Sequence, residues 1–436
     1  MNKITFMGAG STVFVRNVLG DCMCSDALKD WEYALYDIDA TRLEESYEII
    51  SAMNETKGGH ARITKHLGVE NRKEALRGAR FVINAIQVGL YDPCTIIDFE
   101  VPKKYGLRQT IGDTLGIGGI MRALRTIPVM DDFAKDMREV CPNALFLNYT
   151  NPMAMLSGYM QRYTGIETVG LCHSVQVCSE KLLKKLGMED KVEGRRELIA
   201  GINHMGWLLE LEDKDGNDLY PAMKKKFNEV RPDWDLVRLD MMNHFGYYNT
   251  ESSEHTAEYH PYYIKDKYPD FIEKYNIPLD EYPRRCVRQI EGWAKERDEI
   301  LNGGDVTHER SREYGSRIIE ACETDVPFRI HGNVLNTGLI DNLPPEACVE
   351  VPVMVDRNGL NPCHVGRLPE QLAALNMTNI NVQLMTIRAA VTRKKEDVYM
   401  AAYLDPHTKA ELSMDDIKSM CDDLFEAHGD WLPKYN

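Results

Sequence analysis

A strand-like run, a glycine turn and a helical pattern open the chain, and this order constrains the fold more than any other feature of the sequence. The apolar run at residues 3–7 is broken by Gly8 and Gly10, and a helical pattern follows from about Val13. In a Rossmann unit, a strand passes through such a turn into a helix, and the backbone approaches a pyrophosphate at the helix N-terminus. The opening therefore predicts an α/β fold that begins with a nucleotide-binding unit.

Strand-like and helical segments continue to alternate through the first 170 to 200 residues. The strand candidates are 33–36, 80–86, 144–148 and 168–171, and the helix candidates are 41–53, with a capping box from Thr41 to Glu44, 120–139 and a segment after Pro152. Continuous apolar runs of this kind are typical of a parallel sheet covered on both faces. We predict a Rossmann-like, doubly wound parallel sheet in residues 1–200. A mixed α+β domain is predicted for residues 201–436, with a Pro-rich connection at 344–352.

The composition excludes several classes of protein. The 436 residues are 43% hydrophobic and carry a formal net charge of −16, and no apolar run is long enough to span a membrane. This apolar fraction is ordinary for a globular protein, whereas the negative charge argues against nucleic acid or an anionic membrane as a partner. The 11 cysteines have irregular spacing, which favours reduced thiols in a cytoplasmic protein.

The second predicted strand ends in an acidic residue that suits a dinucleotide. Asp37 lies 27 residues after Gly10, where a carboxylate can accept hydrogen bonds from ribose hydroxyls. A carboxylate there favours NAD over NADP, because it would repel a 2′-phosphate. Val13 occupies the third position of the fingerprint, which is usually glycine. The alternative is a Rossmann-like turn that binds no nucleotide.

A cysteine and a histidine follow two other apolar runs. Cys172 comes after the strand candidate at 168–171, and His204 comes after the run at 198–202. A thiolate and an imidazole from two sheet edges can share one divalent cation and leave positions open for substrate oxygens. In the alternative interpretation both side chains are ordinary core residues.

Three further segments carry polar groups in suggestive places. Asn151 follows a strand and precedes a proline, so its amide can bracket sugar hydroxyls or form a simple turn. The glycine-rich segment 112–119 can form a loop that covers a ligand, or an ordinary turn. Residues 250–259 are crowded with titratable groups, which suits acid–base chemistry but is also typical of a solvated surface.

Taken together, the motifs resemble glycoside hydrolase family 4, and within it the α-galactosidase branch. The matching segments span the whole chain and are ITFMGAGST, LYDID, DTLGIGGIMRALRTIP, LNYTNPMAM, GLCHSV, GINHM, TESSEHTAEY, DNLP, DPHT and HGDWLP. The resemblance implies a glycosidase that uses NAD+ and a divalent metal, usually Mn²⁺, an exception among glycoside hydrolases. It implies transient oxidation at sugar C3, loss of the C2 proton, elimination of the leaving group, addition of water and re-reduction.

The resemblance also implies roles for individual residues. The cofactor positions are Gly8, Gly10, Ser11, Thr12 and Asp37, the sugar contact is Asn151, and the metal ligands are Cys172 and His204. His173 matches the position of the acid that assists the leaving group; the phosphosugar branch has Asp there, so His favours an unphosphorylated sugar. The C2 base is expected in 250–259 or nearby, with Tyr259 preferred and Glu258, His255 and Tyr248 as alternatives.

Several alternatives stay open from the sequence. The same chemistry could act on α-glucosides, or on α-galacturonides if Arg285, Arg122 or Arg125 bound the substrate carboxylate. A dehydrogenase that releases NADH and a nucleotide-sensing scaffold without activity are the rivals from other classes. The resemblance further implies a homodimer or homotetramer that acts on small oligosaccharides or other α-galactosides.

Overall fold

The computed structural model describes residues 1–301 and 308–436 of the chain. Within these residues the chain forms twelve strands and seventeen helices. The strands are β1 (Lys3–Met7), β2 (Glu32–Asp37), β3 (Arg62–Leu67), β4 (Phe81–Asn84), β5 (Leu145–Asn148), β6 (Thr168–Gly170), β7 (Arg196–Ile202), β8 (Met205–Glu212), β9 (Tyr248–Asn249), β10 (Phe328–Leu335), β11 (Cys348–Asp356) and β12 (Gly359–Pro362).

The helices surround these strands in chain order. They are α1 (Thr12–Met23), α2 (Ala40–Thr56), α3 (Arg72–Leu76), α4 (Ile96–Lys103), α5 (Gly116–Val140), α6 (Met153–Tyr163), α7 (His173–Lys185), α8 (Tyr220–Val230), α9 (Leu236–Phe245), α10 (Ser253–Tyr259), α11 (Phe271–Lys274), α12 (Glu281–Leu301), α13 (Gly315–Thr324), α14 (Glu370–Thr392), α15 (Lys395–Leu404), α16 (Thr408–Glu411) and α17 (Met414–His428).

All the described strands belong to one sheet with a parallel half and an antiparallel half. The parallel half has the order β3–β2–β1–β4–β5–β6, and the antiparallel half continues as β10–β11–β7–β8–β9, with β12 beside β11. Strands β1, β4 and β5 are buried throughout, as expected for a parallel sheet that helices cover on both faces. The predicted fold class, a Rossmann-like parallel sheet followed by an α+β part, is confirmed.

Three local predictions are wrong, each for a physical reason. The N-cap of α2 is Asp39, whose side chain accepts a hydrogen bond from the Arg42 backbone N–H, so the capping box at Thr41 does not form. The Pro-rich stretch 344–352 is not simply a connection, because β11 begins at Cys348 and pairs with β10. The sequence analysis also missed β3, an edge strand whose charged side chains break the apolar pattern.

The predicted division between residues 200 and 201 falls inside β7, and the sheet continues across it. The two-domain organisation therefore stays a prediction. None of the described helices combines the length and the apolar composition that a membrane-spanning helix needs.

Candidate active site

Three buried side chains converge on one point at the junction of the two halves of the sheet. Cys172 follows β6 and caps α7, His204 lies in the turn between β7 and β8, and Glu251 follows β9. One potential ligand atom from each side chain lies within 4.8 Å of those of the other two. The structure thus brings together the two predicted metal ligands and adds a carboxylate to them.

The register of the sheet explains how these distant segments meet. The hairpin formed by β10 and β11 lies between β6 and β7. Asn333 pairs with Gly170 on one side and Glu350 on the other, and Glu350 pairs in turn with Gly201. The strands that lead to Cys172 and His204 are therefore connected through two buried polar residues.

The electrostatics of two of the three side chains, His204 and Glu251, favour the protonation states that bind a metal. Burial lowers the pKa of His204 to about 4, although the Glu251 carboxylate opposes this shift. Burial acts against the charged form of Glu251, but His204 and His255 outweigh it and lower the pKa of Glu251 to about 2. Both directions yield a neutral imidazole beside a carboxylate. Burial raises the pKa of the Cys172 thiol, so metal binding would have to release its proton.

A hydrogen-bonded chain extends from His204 into α10. The Nε2 atom of His204 lies 3.2 Å from Glu251 Oε2, and its Nδ1 atom lies 2.9 Å from the hydroxyl of Tyr259. The same hydroxyl is 2.7 Å from Nδ1 of His255. Partners of this kind fix the tautomer and the orientation of a metal-binding histidine, so Tyr259 touches the candidate centre through His204.

Two of the alternative bases have structural partners that occupy them. Glu258 accepts hydrogen bonds from the backbone N–H groups of Thr110, Ile111 and Gly112, which ties α10 to the glycine-rich segment. The Tyr248 hydroxyl donates a hydrogen bond to the buried Asp235 at 2.7 Å. Of the four base candidates, Tyr259 and His255 are therefore the two in contact with His204.

Three carboxylates surround His255. Burial lowers its pKa, but the carboxylates of Glu258, Glu251 and Asp113 outweigh burial and raise the pKa of His255 to about 9. Asp113 belongs to the glycine-rich segment, and its Oδ2 atom lies 3.8 Å from Nη1 of Arg122. The segment 112–119 thus contributes a charge to the site, and its second half forms the first turn of α5.

His173 lies on the surface, unlike the three buried side chains of the candidate metal site. Its side chain is 54% exposed, and its Nε2 atom lies 2.6 Å from Oε2 of Glu313. Its ring stacks on Tyr149 with a centroid distance of 5.6 Å. The sequence analysis did not identify Glu313, which is 140 residues away in the chain.

Six asparagine side chains among the described residues have a buried polar atom without a geometric hydrogen-bond partner. Two of them are Asn151, the predicted sugar contact, and Asn203, which directly precedes His204. Unpaired buried amides are costly unless something else satisfies them, which suits a site that binds a polar ligand.

The glycine turn after β1 has the tight geometry that the sequence predicts. Gly8 has φ +85°, and a Cβ atom there would lie 2.9 Å from the backbone of Ala85. A Cβ on Gly10 would lie 2.9 Å from Oδ2 of Asp37, which accepts a hydrogen bond from the Gly10 N–H at 2.6 Å. Asp37 therefore holds the turn itself.

The two residues after the turn have different environments. Ser11 is exposed at the N-terminus of α1. The Thr12 hydroxyl is buried 2.9 Å from that of Ser46, so its side chain serves to pack α1 against α2. Of these two predicted cofactor contacts, the side chain of Ser11 is the one open to a ligand.

Glu251 is the main residue that the sequence analysis overlooked. It lies within the titratable segment 250–259 but was not distinguished from its neighbours. It lies two residues after the end of β9, and a strand of two residues leaves no apolar run in the sequence from which this position could have been predicted.

Comparisons with known proteins agree on one family. The model described as "Family 4 glycosyl hydrolase" matches residues 3–188, and the model of the family's C-terminal domain matches residues 199–408. An α-galactosidase of Bacillus subtilis (strain 168) is 64% identical over 437 aligned residues, which cover 100% of both chains. An α-galactosidase of Rhizobium meliloti (strain 1021) is 36% identical, with 99% of this chain and 89% of the relative covered.

The fold is also found among solved structures. A 6-phospho-α-glucosidase from gut microorganisms, solved in complex with NAD and Mn²⁺, superposes with a TM-score of 0.83 over 100% of both chains at 20% identity. At this identity the likeness concerns the fold.

Proposed function

The chain belongs to the family 4 glycosyl hydrolases and is a glycosidase, and from this premise we propose that it hydrolyses terminal α-galactosides with NAD+ and a divalent metal. The observation that carries the proposal is the 64% identity, over the full length of both chains, to an α-galactosidase. This identity supports a small α-galactoside as the substrate.

The pairing of the arginines supports a neutral sugar over a carboxylated one. Arg125 forms a buried ion pair with Asp98, with Nη2 and Oδ2 2.6 Å apart. Arg285 pairs with Glu254 at 3.0 Å and also with Glu281. Arg122 faces Asp113, as described above. Each of the three arginines that the sequence offers for a galacturonide carboxylate is thus already beside a carboxylate of this chain.

The side chains at the junction fit a divalent metal. Cys172, His204 and Glu251 would hold the ion, and two of them offer nitrogen and oxygen donors that suit Mn²⁺. The unpaired amide of Asn203 next to His204, and that of Asn151, provide polar atoms for sugar hydroxyls. We assign Asn151 to substrate binding on this basis.

The turn after β1 fits the pyrophosphate of a dinucleotide. A Cβ on Gly8 would meet the backbone of Ala85 and one on Gly10 would meet Asp37, so glycine at both positions keeps the turn tight in front of α1. The N-terminus of α1 is then the part of this turn that suits a phosphate. We assign Gly8, Gly10, Ser11, Thr12 and Asp37 to NAD+ binding, Thr12 through its backbone.

The residues of the chain move two protons in the proposed reaction. When bound, NAD+ supplies a temporary hydride acceptor for sugar C3 and the metal a Lewis acid for the sugar oxygens, which together make the C2 proton acidic. Tyr259 Oη takes the C2 proton, and His173 donates a proton to the oxygen of the leaving group. Burial and the carboxylates of Glu258, Asp113 and Glu251 raise the pKa of Tyr259. Its action as a base would therefore depend on the charge of the bound metal and on hydrogen bonds from His204 and His255, between which the hydroxyl lies.

A panel of nitrophenyl α- and β-glycosides, assayed with NAD+, Mn²⁺ and a reductant, tests the substrate class. We expect turnover of the α-galactoside and little of the α-glucoside or α-galacturonide. Absorbance of reduced nicotinamide distinguishes the dehydrogenase alternative, which would accumulate NADH in step with product. A preference for the α-galacturonide, or stoichiometric NADH, would refute the proposal.

Hydrolysis in deuterated water tests the proton transfer at C2. We expect deuterium at C2 of the released galactose, measured by NMR, because the proton held by Tyr259 exchanges with solvent. Protium alone at C2 would contradict exchange through this base.

A further inference from the structure

Residues 308–315, here called the strap, cross α1 and reach the Cys172 end of the site. The strap is fixed to α1 by the buried Asp21, whose carboxylate accepts hydrogen bonds from the backbone N–H and the hydroxyl of Ser311, each at 2.7 Å. Nε2 of His308 is also 2.7 Å from Asp21 Oδ1. The helix that follows the glycine turn therefore determines where the strap lies.

Three consecutive strap residues contact the site at its other end. Glu313 meets His173, and the Tyr314 hydroxyl donates to the backbone carbonyl of Cys172 at 2.8 Å. The backbone N–H of Gly315 donates to the Tyr149 hydroxyl at 3.0 Å. Tyr149 in turn stacks on the ring of His173. All three strap contacts are therefore made to His173 itself or to a residue next to it in the chain or in space.

The direction of the hydrogen bond between Glu313 and His173 is defined by the chemistry of the two groups. A carboxylate accepts hydrogen bonds, so Nε2 of His173 must carry the hydrogen that Glu313 receives. The other ring nitrogen, Nδ1, is then the atom that exchanges a proton. The Glu313 side chain is 12% exposed whereas that of His173 is 54% exposed, so the more buried carboxylate can orient the more exposed ring.

We propose that Glu313 is the positioning residue of His173, holding the imidazole so that Nδ1 faces the leaving group. The inference rests on the proposed function, in which His173 is the acid. As the C1–O bond breaks, its electron pair stays on oxygen and the proton passes from Nδ1 to that oxygen. Glu313 neither gains nor loses a proton.

Two substrates with different leaving groups test this role in the holoenzyme. Nitrophenolate leaves without a proton, whereas the sugar alkoxide of melibiose needs one. Because general acid catalysis contributes about 10²–10⁴-fold, we expect Glu313→Ala to lower kcat on melibiose by about 10²-fold and on nitrophenyl α-galactoside by less than about 3-fold. Arg312→Ala, which removes an exposed neighbour in the strap, should change neither value.

Conservative variants separate positioning from folding. Glu313→Gln still offers a carbonyl oxygen to Nε2–H, so it should recover much of the melibiose activity. Glu313→Asp keeps the charge but is one methylene shorter, so it should repeat the selective loss even if Glu313→Ala does not fold. Equal losses on both substrates in these variants would overturn the positioning role.

His173→Ala makes failure of the inference distinguishable from failure of the proposed function. If His173→Ala spares the nitrophenyl substrate but Glu313→Ala does not discriminate, the positioning role is wrong and the acid role stands. If His173→Ala itself does not discriminate, the acid role is wrong. With both correct, His173→Ala/Glu313→Ala should be no slower on melibiose than His173→Ala alone.

Discussion

The parallel and antiparallel halves of the sheet contribute different kinds of group to the candidate site. The parallel half offers the glycine turn after β1 and one buried thiol, that of Cys172 after β6. The antiparallel half offers buried side chains, His204 and Glu251, which a hydrogen-bonded chain through Tyr259 supports. Nucleotide binding is thus expected to depend on one half, whereas metal binding needs both.

The strongest test of this division removes one metal ligand from each half. Since a metal contributes several kcal/mol to the transition state, we expect Cys172→Ala and Glu251→Gln each to lose bound Mn²⁺ and to lower kcat by about 10³-fold or more. Metal analysis and steady-state kinetics measure both effects. Cys178→Ala, which removes another buried thiol from α7, is the control and should retain metal. Retention of full metal by Cys172→Ala would assign the centre to the antiparallel half alone.

Tyr259→Phe changes only the antiparallel half, so it tests whether this half can fail while NAD+ binding is retained. Loss of a general base typically costs about 10²–10⁴-fold, so we expect kcat to fall in this range and deuterium incorporation at C2 to slow equally. The Kd for NAD+ should remain unchanged. Tyr263→Phe is the matched control, because it removes a buried hydroxyl that donates to Asp240. An active Tyr259→Phe would refute the role of Tyr259 as the base.

Gly10→Ala is the corresponding change in the parallel half. The new Cβ would displace Asp37 from the turn, so we expect the Kd for NAD+ to rise about 10-fold, equivalent to about 1.4 kcal/mol. Fluorescence titration with NADH and with Mn²⁺ should show that metal affinity is unaffected. Gly292→Ala, where a Cβ meets open space, is the control. An equal loss of Mn²⁺ affinity would show that the halves do not act separately.

The smallest expected effect concerns the pH dependence of stability at the junction. Burial raises the pKa of Glu350 from its ordinary 4.5 to about 8. The neutral carboxyl therefore stabilises the fold fully below pH 4.5, and this stabilisation is lost as the pH rises through 8. Between pH 5 and 9, the Tm of metal-free Glu350→Gln should fall less than that of the wild type. The exposed Glu346→Gln should follow the wild type, and parallel curves for all three proteins would exclude Glu350 as the cause.

The sequence predicts the parallel half of the molecule well because its signals are local. The glycine turn, the alternation of strands and helices, and the position of Cys172 after an apolar run can all be read from short segments. The exception is β3, whose place at the edge of the sheet removes the need for apolar residues on both faces.

The remaining features depend on pairing between distant segments. Glu251 joins the site because β9 pairs with β8, and Glu313 does so because Asp21 holds the strap. Neither residue has a local pattern that separates it from other acidic residues. The burial of Tyr259 between two histidines likewise depends on how α10 packs, which spacing alone does not specify.

The short register at the two junctions has a mechanical consequence. β6 meets β10 where Gly170 faces Asn333, and β11 meets β7 where Glu350 faces Gly201. Two strands that pair over one residue are held together by fewer hydrogen bonds than two strands that pair over many. We therefore expect the sheet to open most readily at these two junctions, beside the metal-ligand candidates. An ion bound by residues from both sides of these junctions would cross-link the two halves of the sheet. Hydrogen exchange of the backbone amides of Gly170 and Gly201 should therefore slow when the ion binds.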